Sequence, residues 1–164
     1  VGFAGSYLWR LRQKVGSDLV LMPGAMVVVQ RPDGRVLLTR RVDDATWCLP
    51  AGAAEEGSSF AETAIAELRE ETGAIVSASG LEPFGCLSRA ADHTIAYPNG
   101  DVTHCFAMCF LARDWSGDLR PDGAEAEAVD FFGLDSPPAP IHGPSEVALG
   151  MFRQLLASGE FQVR

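Results

Sequence analysis

The stretch Gly52–Ala74, GAAEEGSSFAETAIAELREETGA, decides how the rest of the chain is read. Ser59 is a favourable N-cap, and Glu62, three residues on, completes a capping box. No Gly or Pro interrupts Phe60 to Thr72, and Gly73 stands where a helix C-terminus accepts a left-handed residue. The pattern predicts one helix. At about 100° per residue, Ala61, Ala64, Ile65, Leu68 and Thr72 share one side, a stripe suited to packing on a sheet. Glu67, Glu70 and Glu71 recur at i, i+3 and i+4, so their carboxylates converge on a neighbouring face. Like charges at that spacing repel, and the last turn carries the negative end of the helix dipole. A divalent cation would offset this repulsion. Hard oxygen ligands suit Mg²⁺ or Mn²⁺, which keep several waters and complete their shell from substrate phosphates. The plain alternative is a solvated acidic face, and E-x-x-E-E alone does not exclude it.

Upstream, Trp47-Cys48-Leu49-Pro50-Ala51-Gly52 reads as a short apolar strand entering a Pro/Gly turn. With this flank the stretch resembles the signature of the Nudix hydrolase family. That signature is a Gly, five spacers, a Glu and seven spacers, then Arg-Glu-U-x-Glu-Glu-x-Gly-U, where U is bulky and aliphatic. Gly52, Glu67, Leu68, Glu70, Glu71 and Gly73 match in register, and Pro50-Ala51-Gly52 resembles the family's Pro-Gly-Gly. Ser58 stands where the pattern has its first Glu, Ala66 where it has Arg, and Ala74 at the closing aliphatic position. A looser resemblance extends from about Pro23 to Pro138.

The resemblance implies an α+β fold, an α/β/α sandwich with a mixed central β-sheet. The helix after Ser59 would lie on one side and a C-terminal helix on the other. It implies a metal-dependent hydrolase cleaving a pyrophosphate bond in a nucleoside diphosphate linked to another moiety. Mg²⁺ or Mn²⁺ would be held by Glu67, Glu70, Glu71 and the Gly52 carbonyl, with Glu67 or Glu70 as catalytic base. Family members often add an acidic residue from beyond this signature. Glu125 and Glu127 are the candidates, and their spacing does not choose between them. Arg40 and Arg41 fall where relatives face substrate phosphates, and strand alternation allows at most one of them to do so. The departures at Ser58 and Ala66 keep a second reading open, a Nudix-like domain that binds a nucleotide ligand as a sensor or interaction module. Function does not follow from fold alone. The resemblance also implies a possible homodimer, with the N-terminal helix placed to pack on a partner.

At 164 residues the chain fits one domain, residues 1–164, with an N-terminal helical extension at 1–22 and a C-terminal helix at 143–158. A net charge of −9 argues against nucleic-acid polymers and anionic membranes, whose affinity comes largely from Lys and Arg. It leaves room for a small nucleotide-derived substrate, because a bound cation inverts the local charge. The cysteines Cys48, Cys86, Cys105 and Cys109 form no C-x-x-C pair, which points to a reduced, cytoplasmic protein. No signal peptide or membrane-length apolar run is visible. The chain begins at Val1, which leaves its natural start open.

The remaining elements follow from pattern. Ala4 to Val15 predicts a short helix whose Arg10, Arg12 and Lys14 read as a solvated basic face rather than a phosphate contact. Ala25 to Gln30 is a buried strand, and Pro32-Asp33-Gly34 turns it into a hairpin with Arg35 to Arg41. Ile75 to Ser79 and Leu81 to Arg89 read as strands, and Ala90 to Ile95 as a loop with a solvated His93. Tyr97-Pro98-Asn99-Gly100-Asp101 is a second hairpin turn. Val102 to Ala112 is apolar on both faces, as in a central strand, and Ala128 to Leu134 is one more. A last helix starts at Gly143 with Pro144 in its first turn. Ala148, Met151, Phe152, Leu155 and Leu156 form its apolar stripe, and Gly159 ends it.

Overall fold

Alternate residues of one strand feed two different cores. In the computed structural model, which describes residues 4–97 and 99–164, strand β1 (Val20–Val29) runs through the middle of the larger sheet. Its Met26 and Val28 join Phe84, Leu87, Cys109 and Leu111 against Ala148, Leu149, Met151 and Phe152 of helix α4 (Gly143–Ser158). Its Ala25 and Val27 join Phe110 and Ala112 on the other side, against Ala64 and Leu68 of helix α2 (Phe60–Thr72). This is the period-2 geometry of a strand buried on both faces. Each fully buried Leu, Phe or Met contributes on the order of 1.5–3 kcal/mol. The expected sandwich, with α2 and α4 on opposite sides of a mixed sheet, is what the chain forms.

The larger sheet has the order β4-β1-β7-β5-β9, with β6 also paired to β7. Here β4 is Ala51–Ala53, β5 Leu81–Leu87, β6 Thr94–Ala96, β7 Val102–Ala112 and β9 Gln162–Val163. β1 and β7 run parallel from Val20↔Thr103 to Val29↔Ala112, which makes β7 the central strand its composition predicts. A smaller sheet of three strands, β3-β2-β8, comprises Trp47–Cys48, Val36–Arg41 and Ala126–Phe132. Helix α1 (Tyr7–Val15) precedes the sheets, and the one-turn α3 (Ala90–His93) lies between β5 and β6.

Several expectations are corrected. The Pro32–Gly34 turn forms, with the Gly34 N–H donating to the Arg31 carbonyl at 2.9 Å and φ of 84° at Gly34. After one bridge, Gln30↔Val36, β2 leaves β1 and pairs with β3 and β8 instead. The physical reason is that β1 is already flanked by β4 on one edge and β7 on the other. Ile75 makes a single bridge to Ser116, and Ala78–Gly80 is a 3-10 turn rather than strand. Residues 90–96 form α3 and β6 rather than a loop, and His93 is buried with Nδ1 3.4 Å from the Leu87 carbonyl. In the Tyr97–Asp101 turn, the predicted Pro98 lies outside the described residues. Leu156 is exposed, so the α4 stripe is narrower than its spacing predicts. The cysteines are free, and burial pushes the thiols of Cys48, Cys105 and Cys109 up to about 12, 11 and 12.

Helix α1 starts at Tyr7, because Ser6 is its N-cap and accepts from the Trp9 N–H at 3.1 Å. Its basic residues divide. Lys14 is exposed, and Arg10 pairs with Glu56 at 2.7 Å. Arg12 is buried and spends its donors on the carbonyls of Gly16, Asp18 and Val102 and on Thr103 Oγ1, at 2.5–3.1 Å. A buried guanidinium requires such full satisfaction, and Asp101 lies 3.6 Å away. These contacts, including those of the basic residues expected to face solvent, lie within the same chain.

Candidate active site

Helix α2 has the predicted bounds, and its local chemistry explains them. Ser59 Oγ accepts from the Glu62 N–H at 3.2 Å, while the Glu62 carboxylate accepts from the Ser59 N–H at 2.8 Å. Gly73 ends the helix at φ of 73°, its N–H donating to the Arg69 carbonyl at 3.0 Å.

The three box carboxylates do not share one environment. Glu71 is 7% exposed, with Oε1 3.4 Å from the Ala51 N–H of β4. Burial, and after it the charge of Glu67, holds the Glu71 carboxyl well above the usual carboxylate range. Glu67 is half-buried, and its carboxyl stands directly over Gly52. A Cβ at position 52 would fall 2.1 Å from the carboxyl carbon and 2.3–2.4 Å from its oxygens. A side chain at position 52 would therefore push the Glu67 carboxyl out of this place. Gly24 serves the same contact from below, since a Cβ there would lie 2.4 Å from the Gly52 carbonyl oxygen. Burial pushes Glu67 up to about 7, assisted by Glu125 and Glu70.

Glu70 lies on the exposed side of the turn, near enough for its charge to act on Glu67 and Glu125. Thus the structure gathers Glu67, Glu71 and Gly52, while Glu70 stands outward. Among the described residues no three acidic, His or Cys side chains are drawn around one point. Glu71 is buried and Glu70 exposed, so the solvated-face alternative fails for Glu71. An open groove lined by Glu62, Ile65, Ala66, Arg69 and Glu70 runs along this outer side.

The structure separates residues that spacing left equal. Glu125 is raised by partial burial, then by the charge of Asp122, with Arg41 pulling the other way, and its own charge reaches Glu67 and Glu71. Glu127 instead pairs with Arg40 on the exposed surface. Arg41 is gripped by Asp43, Nε to Oδ1 at 2.9 Å and Nη2 to Oδ2 at 2.5 Å, with Asp44 at 3.5 Å. So Arg40 and Arg41 do diverge, and Arg41 is the one on the side of Glu125. Sequence reading missed Glu55, whose charge also reaches Glu67. Its only signal was membership of the acidic pair Glu55-Glu56 ahead of the helix.

The oxygen donors here, carboxylates with a backbone carbonyl on the neighbouring strand, are of the hard type that divalent cations take. A half-buried carboxyl against Gly52 and a buried one at the Ala51 N–H act on each other's charge, and among the described residues no Lys or Arg forms an ion pair with Glu67 or Glu71.

Comparison with known proteins agrees with this geometry. A family model described as the NUDIX domain matches residues 20–148. An RNA pyrophosphohydrolase of Sphingopyxis alaskensis is 33% identical over 119 residues, covering 65% of this chain and 73% of that one. An NAD-capped RNA hydrolase, NudC, of Vibrio cholerae is 27% identical over 134 residues, 80% of this chain and 45% of that protein. The chain thus spans less than half the length of that longer relative. The crystal structure of a MutT NUDIX hydrolase from Burkholderia pseudomallei superposes with a TM-score of 0.62 at 26% identity, covering 80% of this chain and 98% of that one. The match over residues 20–148, laid on a helix whose Glu67 carboxyl lies against Gly52, means that the chain belongs to the Nudix family and is a pyrophosphohydrolase of that type.

Proposed function

We propose that the chain cleaves the pyrophosphate bond of a nucleoside diphosphate linked to another moiety, with Mg²⁺ or Mn²⁺ held by Glu67, Glu70, Glu71 and the Gly52 carbonyl. The observation that carries this reading is the Glu67 carboxyl seated on Gly52 beside buried Glu71. Once bound, the cation would neutralise non-bridging phosphate oxygens and lower the pKa of a coordinated water. The chain's own side chains supply the rest. Burial pushes Glu67 up to about 7, so as pH passes that value its ionised carboxylate is the acceptor for a proton from the attacking water, with Glu70 as the second acceptor on the same turn. Glu125 lies within electrostatic reach and supports the same role from β8's approach. Arg41, steadied by Asp43, faces the phosphates, while Arg40 stays with Glu127.

The substrate is a small nucleotide derivative rather than a polymer, in keeping with the net charge of −9. Four free thiols support a reducing, cytoplasmic setting, and no helix among the described residues is long and apolar enough to cross a membrane. A panel of ADP-ribose, NAD, nucleoside triphosphates, sugar nucleotides and 5′-triphosphorylated or NAD-capped oligoribonucleotides, read by chromatographic separation of the monophosphate products with Mg²⁺ or Mn²⁺, tests this. Turnover of a small diphosphate derivative is the expected result. Turnover confined to the oligoribonucleotides would overturn the substrate class. Binding without turnover throughout would favour the sensor reading that the Ser58 and Ala66 departures motivate.

A homodimer belongs to the same proposal. Leu21, Phe106 and Val163 remain exposed on the larger sheet, and the rows Leu21↔His104 and Met108↔Cys86↔Val163 put them on one face. Light scattering at micromolar concentration is expected to give twice the chain mass, and a monomer would count against it.

A further inference from the structure

The loop 54–59 joins two parts of the candidate site, the Gly52 strand and the Glu67 helix. Its ends are tied, by the Ala54 N–H on the Pro23 carbonyl at 2.9 Å and by the Ser59–Glu62 box. Its middle includes Ser58, exposed and without a carboxylate. What grips this middle is α1. The backbone N–H of Tyr7 lies 2.9 and 3.0 Å from the two carboxylate oxygens of Glu55. Arg10 reaches Glu56 at 2.7 Å and the Gly5 carbonyl at 2.7 Å. The far end of α1 is fixed to β7 through buried Arg12, at 2.7 Å from the Val102 carbonyl and 2.9 Å from Thr103 Oγ1. A continuous set of contacts therefore runs from the central strand through α1 to the loop. The first-turn N–H of a helix is an orphan donor at the positive end of the dipole, so a carboxylate is its favoured partner.

We propose that α1 is a brace for the catalytic loop, in which the Tyr7 N–H and Glu55 act as positioning groups that hold Gly52 and Glu67 in their working separation. The inference rests on the assignment of the site to Gly52, Glu67 and Glu71. Neither Tyr7 nor Glu55 touches the reacting atoms in this scheme. Glu55 acts through the backbone it belongs to, and the held carboxylate is kept from swinging toward Glu67.

Tyr7→Pro tests this when set against Tyr7→Ala, because both lose the ring and the proline alone also loses the N–H. Pro is well tolerated at the first helical position, and Ser6, at ψ of 165°, already has the extended conformation that a residue before Pro prefers. Tyr7→Ala keeps the N–H and is the control. Tyr7→Pro and Glu55→Ala are each expected to lower kcat about tenfold with KM nearly unchanged, and to weaken Mn²⁺ binding severalfold by electron paramagnetic resonance without substrate. The double variant should be no worse than either single one, since both remove the same contact. Tyr7→Ala should match the parent. Should Tyr7→Pro melt well below Tyr7→Ala, Glu55→Gln decides, because its amide oxygen keeps one acceptor and should restore part of the rate lost in Glu55→Ala. Tyr7→Pro equal to Tyr7→Ala in both kcat and Mn²⁺ affinity, or no recovery in Glu55→Gln, would overturn the brace alone. A parent chain that neither binds Mn²⁺ nor hydrolyses any member of the panel would overturn the site assignment and the brace with it.

Discussion

Glu67→Gln is expected to lower hydrolysis by more than about a hundredfold and yet, without divalent cation, to melt higher than the parent at pH 8. Both effects have one cause. The Glu67 carboxyl sits against Gly52 beside buried Glu71, so its charge is costly until a cation offsets it. Its pKa is pushed up to about 7 from an ordinary 4.5. Between those values the folded chain keeps a proton that the unfolded chain has lost. The stabilisation is therefore fully present below pH 4.5 and is lost as pH rises through 7. At ~1.4 kcal/mol per pH unit the loss is on the order of 3 kcal/mol. The Gln variant escapes it, so its melting temperature should equal the parent's near pH 4.5 and exceed it by ~5–10 °C at pH 8. Glu71 is also raised, by burial and then by the charge of Glu67, so the gain from Glu71→Gln should likewise begin as pH rises through 4.5, where the unfolded chain loses the proton that the folded chain keeps. Saturating Mn²⁺, at about 100 times its Kd, should stabilise the parent by ~2.7 kcal/mol and the variant far less. Scanning calorimetry in EDTA and in Mn²⁺ across pH measures all of this. A Glu67→Gln chain that binds Mn²⁺ as tightly as the parent, or a melting difference flat in pH, would refute the site.

Ala66→Arg combined with Ser58→Glu is expected to raise kcat/KM. Position 66 is exposed and shares an open groove with Glu70, four residues on, so a long side chain has room there. A guanidinium in that groove can take Glu70 by a bidentate pair, which Lys cannot copy. Steadying a catalytic carboxylate in this way is worth on the order of 1–3 kcal/mol, or about tenfold to a hundredfold in rate. Ala66→Arg should carry most of the gain. The carboxylate added at Ser58 would lie in the loop that already bears Glu55 and Glu56, where α1 supplies the counterpart. Steady-state kinetics on the parent's substrate, with melting curves to show that both chains are folded, make the comparison. An unchanged rate in a well-folded double variant would mean that these two positions do not limit the chemistry.

The sequence by itself determined what short-range chemistry determines. The bounds of α2 were legible because the Ser59–Glu62 box and Gly73 act within a few residues of one another. The central place of β7 was legible because a strand that is apolar at both alternate sets of positions has to be covered twice. The spacing of Glu67, Glu70 and Glu71 placed them on one helix, but not in one environment, since burial depends on what packs against each. Only the tertiary structure showed that Glu71 is buried at the Ala51 N–H of β4, that the Glu67 carboxyl lies against Gly52, and that Glu70 is exposed. It separated Glu125 from Glu127 by giving the second to Arg40, and it drew Arg12 and His93 inside against expectation. It moved β2 out of the predicted hairpin because both edges of β1 were already taken. Above all, it joined Tyr7 to Glu55 across 48 residues. Contacts of that range are chosen by competition among all surfaces of the folded chain, so no local pattern in the sequence encodes them.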